Sequence, residues 1–161
     1  MQNTMLAIIS IILLIIISSV FIPPNGYSFL SPSFSIAGII YWIIKRKSPL
    51  NNYLIFFLGI LNDLFIGTPI GSSSLLFFTV KESIFLLEAR IKKSGIVIDL
   101  LKYILGLTVY FSFIYIFIII YFANNPSINY FLMSYLLTLF IFPIIYITFN
   151  WIENKMRQNE V

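Results

Sequence analysis

Neither cysteine nor histidine occurs anywhere in the 161 residues. Without cysteine there is no disulfide and no thiolate metal site. Without histidine there is no imidazole ligand, no His-based proton transfer and no Ser-His-Asp triad. Charge is nearly as scarce: 10% of residues are charged, against about 25% in a soluble domain that must keep a polar surface. What fills the chain instead is apolar, with 60% hydrophobic residues, 18% aromatic residues and a mean hydropathy of +0.99. The expected class is an all-α integral membrane protein. A helix crossing the hydrocarbon core needs about 20 apolar residues, so six crossings take about 120 positions and leave about 40 for turns and tails. Residues 1–161 therefore read as a single membrane domain with no room for a soluble one.

Six apolar runs are read as spans at about 4–22, 29–44, 51–66, 69–87, 99–123 and 127–152. The first stops at Pro23-Pro24-Asn25-Gly26, a strong helix break. It is expected to be a retained span rather than a cleaved signal peptide. Ser18-Ser19-Val20 offers small residues for cleavage, but the apolar stretch exceeds the usual h-region of about 7 to 15 residues and no Lys or Arg precedes it. The second run contains Pro32, so regular helix is expected from near Ser33, short for a full crossing. The fifth is free of charge from Tyr103 to Ala123, and the sixth from Ser127 to Ile152.

The net charge of +4 and pI near 9.3 would suggest nucleic acid in a soluble protein, but the positions of the charges give them another meaning. Eight of the ten Lys and Arg fall in alternate connections: Lys45-Arg46-Lys47, then Arg90, Lys92 and Lys93, then Lys155 and Arg157. The intervening connections, around 23–31, 67–71 and 124–126, carry none. Cytoplasmic loops retain positive charge during insertion. The simple topology is a six-transmembrane-helix bundle with cytoplasmic N and C termini and no nucleic-acid partner. Trp42 and Trp151 precede basic segments and are expected at the inner headgroup level, as Tyr121 and Tyr130 are at the outer one.

Three charges fall inside spans: Asp63, Lys81 and Glu82. Each costs about 2.5 to 3.5 kcal/mol at a helix centre on insertion scales, so none should face lipid. Gly59, Asp63 and Gly67 recur every four residues and share one helix face suited to close approach by another helix. Asp63 is expected to cap the next turn, through backbone N–H groups of 67–71 or of Ser72 to Ser74, or else to contact a partner or ligand. A proton relay would need a chain of ionisable groups that the sequence lacks. Lys81 is expected near mid-membrane, reaching Asp63 or pairing with a Glu82 from a neighbouring helix, or else contacting substrate. Gly67 and Gly71 have the spacing of a helix-dimerisation motif, but Pro69 between them favours a turn. Ser72-Ser73-Ser74 has only Lys81 as a possible base, so no enzyme is expected. No cofactor is expected either.

Pro32-Ser33-Phe34, Tyr41-Trp42, a basic loop with Pro49, and then Gly59-Ile60-Leu61-Asn62-Asp63-Leu64-Phe65-Ile66-Gly67-Thr68-Pro69-Ile70-Gly71 together resemble the rod-shape-determining protein MreD family. The order, spacing and topology carry the likeness, most closely in the centre of the chain. The chain departs from the family pattern in placing serines after Gly71 and charges at Lys81 and Glu82. The resemblance implies a six-helix fold similar to the substrate-binding subunits of energy-coupling-factor transporters. It also implies a non-enzymatic scaffold of the cell-elongation complex in the bacterial cytoplasmic membrane. Its implied partners are MreC, MreB, the peptidoglycan synthases and membrane lipid. Gly59, Asp63, Gly67, Pro69 and Gly71 are carried over as the motif positions and partner-binding candidates. The rival reading is a vitamin-like transporter subunit with a pocket opening outward near Asp63; a membrane enzyme or lipid transporter is a weaker third.

Overall fold

The computed structural model describes residues 2–20, 32–45, 50–91, 95–122 and 128–158. Among these residues the protein is all-α, with six helices and no strand. They are α1 (Gln2–Val20), α2 (Phe34–Ile44), α3 (Asn52–Ile66), α4 (Ser72–Arg90), α5 (Ile96–Phe122) and α6 (Ile128–Gln158). Two stretches, Ile96–Tyr121 and Phe131–Lys155, are long and apolar enough to cross a membrane. The breaks expected at 23–26 and 124–126, together with Arg46, Lys47, Pro49, Lys92 and Lys93, lie outside the described residues.

α2 is the axis of the bundle. It begins at Phe34, near Ser33 as expected, with Ser33 as the non-helical cap residue. All ten residues from Ser35 to Ile44 are buried, as expected of a helix that is apolar all round. It touches α1, α4, α5 and α6. A helix start placed inside the bundle leaves orphan N–H groups that water cannot reach. Two side chains from other helices meet them: Ser33 N–H donates to Thr138 Oγ1 at 3.1 Å, and Ser35 N–H donates to Ser18 Oγ at 3.1 Å.

The Tyr41-Trp42 pair anchors α2 to α6 and α1. Tyr41 packs edge-on against Tyr146 and Phe149 of α6 and donates to Asn150 Oδ1 at 3.0 Å. Trp42 donates from Nε1 to Ser10 Oγ of α1 at 2.9 Å and is only 2% exposed. The indole, expected at the inner headgroup level, faces into the bundle. Its neighbour on the chain is basic, but its own helix is central, so the indole points into the core rather than outward. Trp151 is 62% exposed, with the Lys155 ammonium over its ring at 5.0 Å. Tyr121 is exposed, while the Tyr130 side chain lies outside the described ones.

α3 and α4 form an antiparallel hairpin, α4 packs on α5, and α6 closes against α2 and α5. Between α5 and α6 the Tyr103 and Phe142 rings stack 4.1 Å apart. Pro143 sits inside α6, which continues on both sides of it. The helices also carry large apolar side chains on their outer faces, among them Ile9, Leu13, Phe57, Leu86, Ile120 and Phe140.

Candidate functional site

The α3–α4 hairpin gathers all five motif residues. α3 stops at Gly67, whose φ of 81° is left-handed, and the Gly67 N–H donates to Asp63 O at 2.8 Å. Pro69 accepts from Ser72 N–H at 3.0 Å, bending the chain back. Gly71, at φ 95°, starts α4 without a capping side chain of its own. Two left-handed positions in five residues require glycine, because a Cβ there crowds the backbone carbonyl.

The missing cap comes from Asp63, a turn before the end of the previous helix. Its carboxylate is 1% exposed and accepts four groups. Gly71 N–H reaches Oδ2 at 2.7 Å, and Ser73 N–H lies 3.0 Å from Oδ1. Thr68 Oγ1 donates at 2.7 Å and Ser72 Oγ at 3.0 Å. The charge therefore rests on the N-terminus of α4, where orphan donors and the helix dipole favour an anion.

Gly59 sets how closely the two helices approach. A Cβ there would overlap the backbone and hydroxyl of Ser74. Ser74 Oγ donates to Phe56 O at 2.8 Å. Hence the small-residue face of Gly59 and Asp63 is filled by α4 of the same chain. Ser73 Oγ accepts from Asn62 Nδ2 at 2.8 Å, so each serine of the triplet is engaged within the hairpin. Asn62 was not singled out by the sequence. It is 1% exposed, and its Oδ1 is a buried acceptor with no partner among the described residues.

The position expected for Lys81 is corrected. It meets neither Asp63 nor Glu82, but donates to Leu50 O at 3.2 Å and Asn52 Oδ1 at 2.6 Å, level with the first turn of α3. Lys81 is the tenth residue of α4, about 14 Å from the turn that holds Asp63, and its side chain extends toward the start of α3 rather than back toward that turn. The expectation that Glu82 turns away from the outer surface is corrected: it is exposed on α4, because the inward positions around it are taken by Val80 and Ile84, and it has no ion-pair partner among the described residues.

Lys81 belongs to a polar layer at that end of the bundle that the sequence did not single out. Lys45 Nζ lies 3.0 Å from Glu153 Oε2, also donates to Asn150 Oδ1, and sits over the Tyr41 ring. Lys102, 4% exposed, is 3.0 Å from Glu88 Oε1, and Tyr146 OH donates to Asp99 Oδ2 at 3.2 Å. Charges at run ends look like solvated flanks in a sequence; only the folded packing pairs them across helices. Among the described residues no three His, Cys, Asp or Glu side chains converge as a metal site would need.

Two cavities stand out, and neither is lined by Asp63. One of about 430 Å³ opens between α5 and α6, walled by Phe111, Tyr115, Phe131 and Tyr135. The other, about 260 Å³, lies in the polar layer and includes Lys45, Lys81 and Glu88 in its lining. Comparison with protein-family models, curated proteins and solved structures finds no match to this chain.

Proposed function

We propose that this chain belongs to the class of polytopic membrane scaffolds: six helices in the bilayer, both termini cytoplasmic, and no catalysis of its own. Within that class we assign it the role implied by its likeness to the MreD family. It holds the transmembrane helix of MreC in the bacterial cytoplasmic membrane and serves, with MreB and the peptidoglycan synthases, the elongation of the lateral wall. The alternation of Lys and Arg between connections supports the topology. So do the large apolar side chains exposed on the helices, which water would disfavour and lipid accepts.

One observation carries the scaffold reading. The five motif residues build a single rigid corner, in which the Asp63 carboxylate is fully occupied by its own chain. A transport site would need that carboxylate free and a cavity beside it. The corner instead presents Leu64, Phe65, Ile66 and Ile70 outward, an apolar edge fitted to another helix in the membrane.

Co-purification in detergent tests the role. MreC is expected to be recovered with the chain and lost on Gly67→Val or Asp63→Ala. Depletion in a rod-shaped host is expected to round the cells. Recovery of a vitamin-like ligand and an ATPase module without MreC would overturn the reading, as would normal rod shape after depletion.

A further inference from the structure

The 260 Å³ cavity in the polar layer is walled by Ile43 and Lys45 of α2, by Leu50, and by Lys81, Ile84, Phe85 and Glu88 around α4. It combines an apolar floor with ammonium groups. Each ammonium has three donors. Lys45 directs two at Glu153 and Asn150, and Lys81 directs two at Leu50 O and Asn52 Oδ1, which leaves one N–H on each for a further acceptor. Glu88 is the carboxylate in this wall, and Lys102 at 3.0 Å neutralises it. The charged groups in the cavity lining itself are two ammonium groups, Lys45 and Lys81, and one carboxylate, Glu88. Lys45 and Glu88 each have an ion-pair partner, whereas Lys81 has only neutral acceptors and no carboxylate partner among the described residues.

A phosphate diester fits this arrangement: a single negative charge with free oxygens for two ammonium donors, and an apolar neighbour that Ile84 and Phe85 can cover. The cavity has the volume of about nine water molecules in the liquid. Phe85 is 64% exposed on the outer face of α4, so the apolar floor runs out to the surface of the bundle. A soluble phosphate would use the ammonium groups alone; a lipid would use both.

We propose that the cavity between Lys45 and Lys81 binds the phosphodiester headgroup of an anionic phospholipid, its acyl chains leaving along Phe85. The site rests on the membrane reading but not on the MreC role. Its occupancy is measured without MreC, so the two can fail separately.

Native mass spectrometry of the full chain in neutral detergent tests it, with phosphatidylglycerol, phosphatidylcholine and inorganic phosphate as separate probes. One phosphatidylglycerol is expected to be retained per chain, with phosphatidylcholine and phosphate retained far less. Lys81→Gln is expected to weaken phosphatidylglycerol about tenfold, the loss of one charge-assisted contact, and Lys81→Arg to retain it. Lys155→Gln removes the same charge at an exposed site on α6 and is expected to change nothing. Lys45→Gln also breaks the Glu153 pair, so Lys81 is the deciding variant. Equal retention of phosphatidylcholine would overturn the headgroup assignment, and equal binding of inorganic phosphate would overturn the lipid. An unchanged Lys81→Gln, or an equal loss with Lys155→Gln, would overturn the site.

Discussion

At the scale of single residues, Asp63 is the most consequential side chain. Removing it leaves the buried Ser73 N–H and the half-buried Gly71 N–H without their acceptor, an unsatisfied buried group being worth about 1 to 3 kcal/mol. Asp63→Ala is therefore expected to destabilise the protein by roughly 2 to 4 kcal/mol, read as a lower unfolding midpoint in detergent. Asp63→Asn keeps one acceptor oxygen but turns an amide N–H₂ toward donors, and is expected to recover less than half of that. A midpoint unchanged in Asp63→Ala would remove the carboxylate from the turn's stabilisation. Gly67 is a smaller case: there is open space where its Cβ would go, so Gly67→Ala costs only the left-handed backbone term, about 1 kcal/mol.

Between elements, the structure depends on two contacts of different kinds. The α3–α4 crossing is steric. Gly59→Leu drives a side chain into the Ser74 backbone, which cannot move without displacing the Asp63 cap, so a loss of 3 kcal/mol or more, about the top of the overpacking range, is expected. The α2–α6 contact at the other end is electrostatic. Lys45 is 28% and Glu153 11% exposed by side chain, so their pairing is only partly screened. Lys45→Glu sets two acids together beside Asn150 and is expected to lower the unfolding midpoint. The double exchange Lys45→Glu with Glu153→Lys is expected to restore most of it. Equal losses in the single and double variants would show that the pair contributes nothing as a pair.

For the molecule as a whole, the proposed six-span topology turns on which ends would lie on which side of the membrane. The lack of cysteine makes this simple to measure, because any introduced thiol is the only one. Ile70 is 73% exposed at the α3–α4 turn, and Lys155 is exposed on the last turns of α6. A membrane-impermeant maleimide is expected to label Ile70→Cys in intact cells and Lys155→Cys only after permeabilisation. Labelling of both from one side would overturn the six-span topology. On the proposed topology α2 and α3, too short to cross a hydrocarbon core of about 30 Å unaided, would depend at their ends on neighbouring helices and on the polar layer.

Helix number and the glycine-bounded turn were legible in the sequence because both are local. Apolar run length, Pro32, Gly67 and Gly71 act through the backbone of their own neighbourhood. The Asp63 cap was legible as one of two readings for the same reason: its acceptors find donors within ten residues. What the tertiary structure alone decided is the pairing between helix positions that are far apart in the chain. Trp42 is inside because α2 is central, Lys81 reaches Asn52 because its side chain extends along α3 away from the turn, and Lys45 meets Glu153 across 108 positions of chain. Sequence by itself determines where a helix can start and stop, through propensity and local hydrogen bonds. Which face each helix buries, and which charges meet, depends on contacts whose partners are distant in sequence and near only once the bundle has packed.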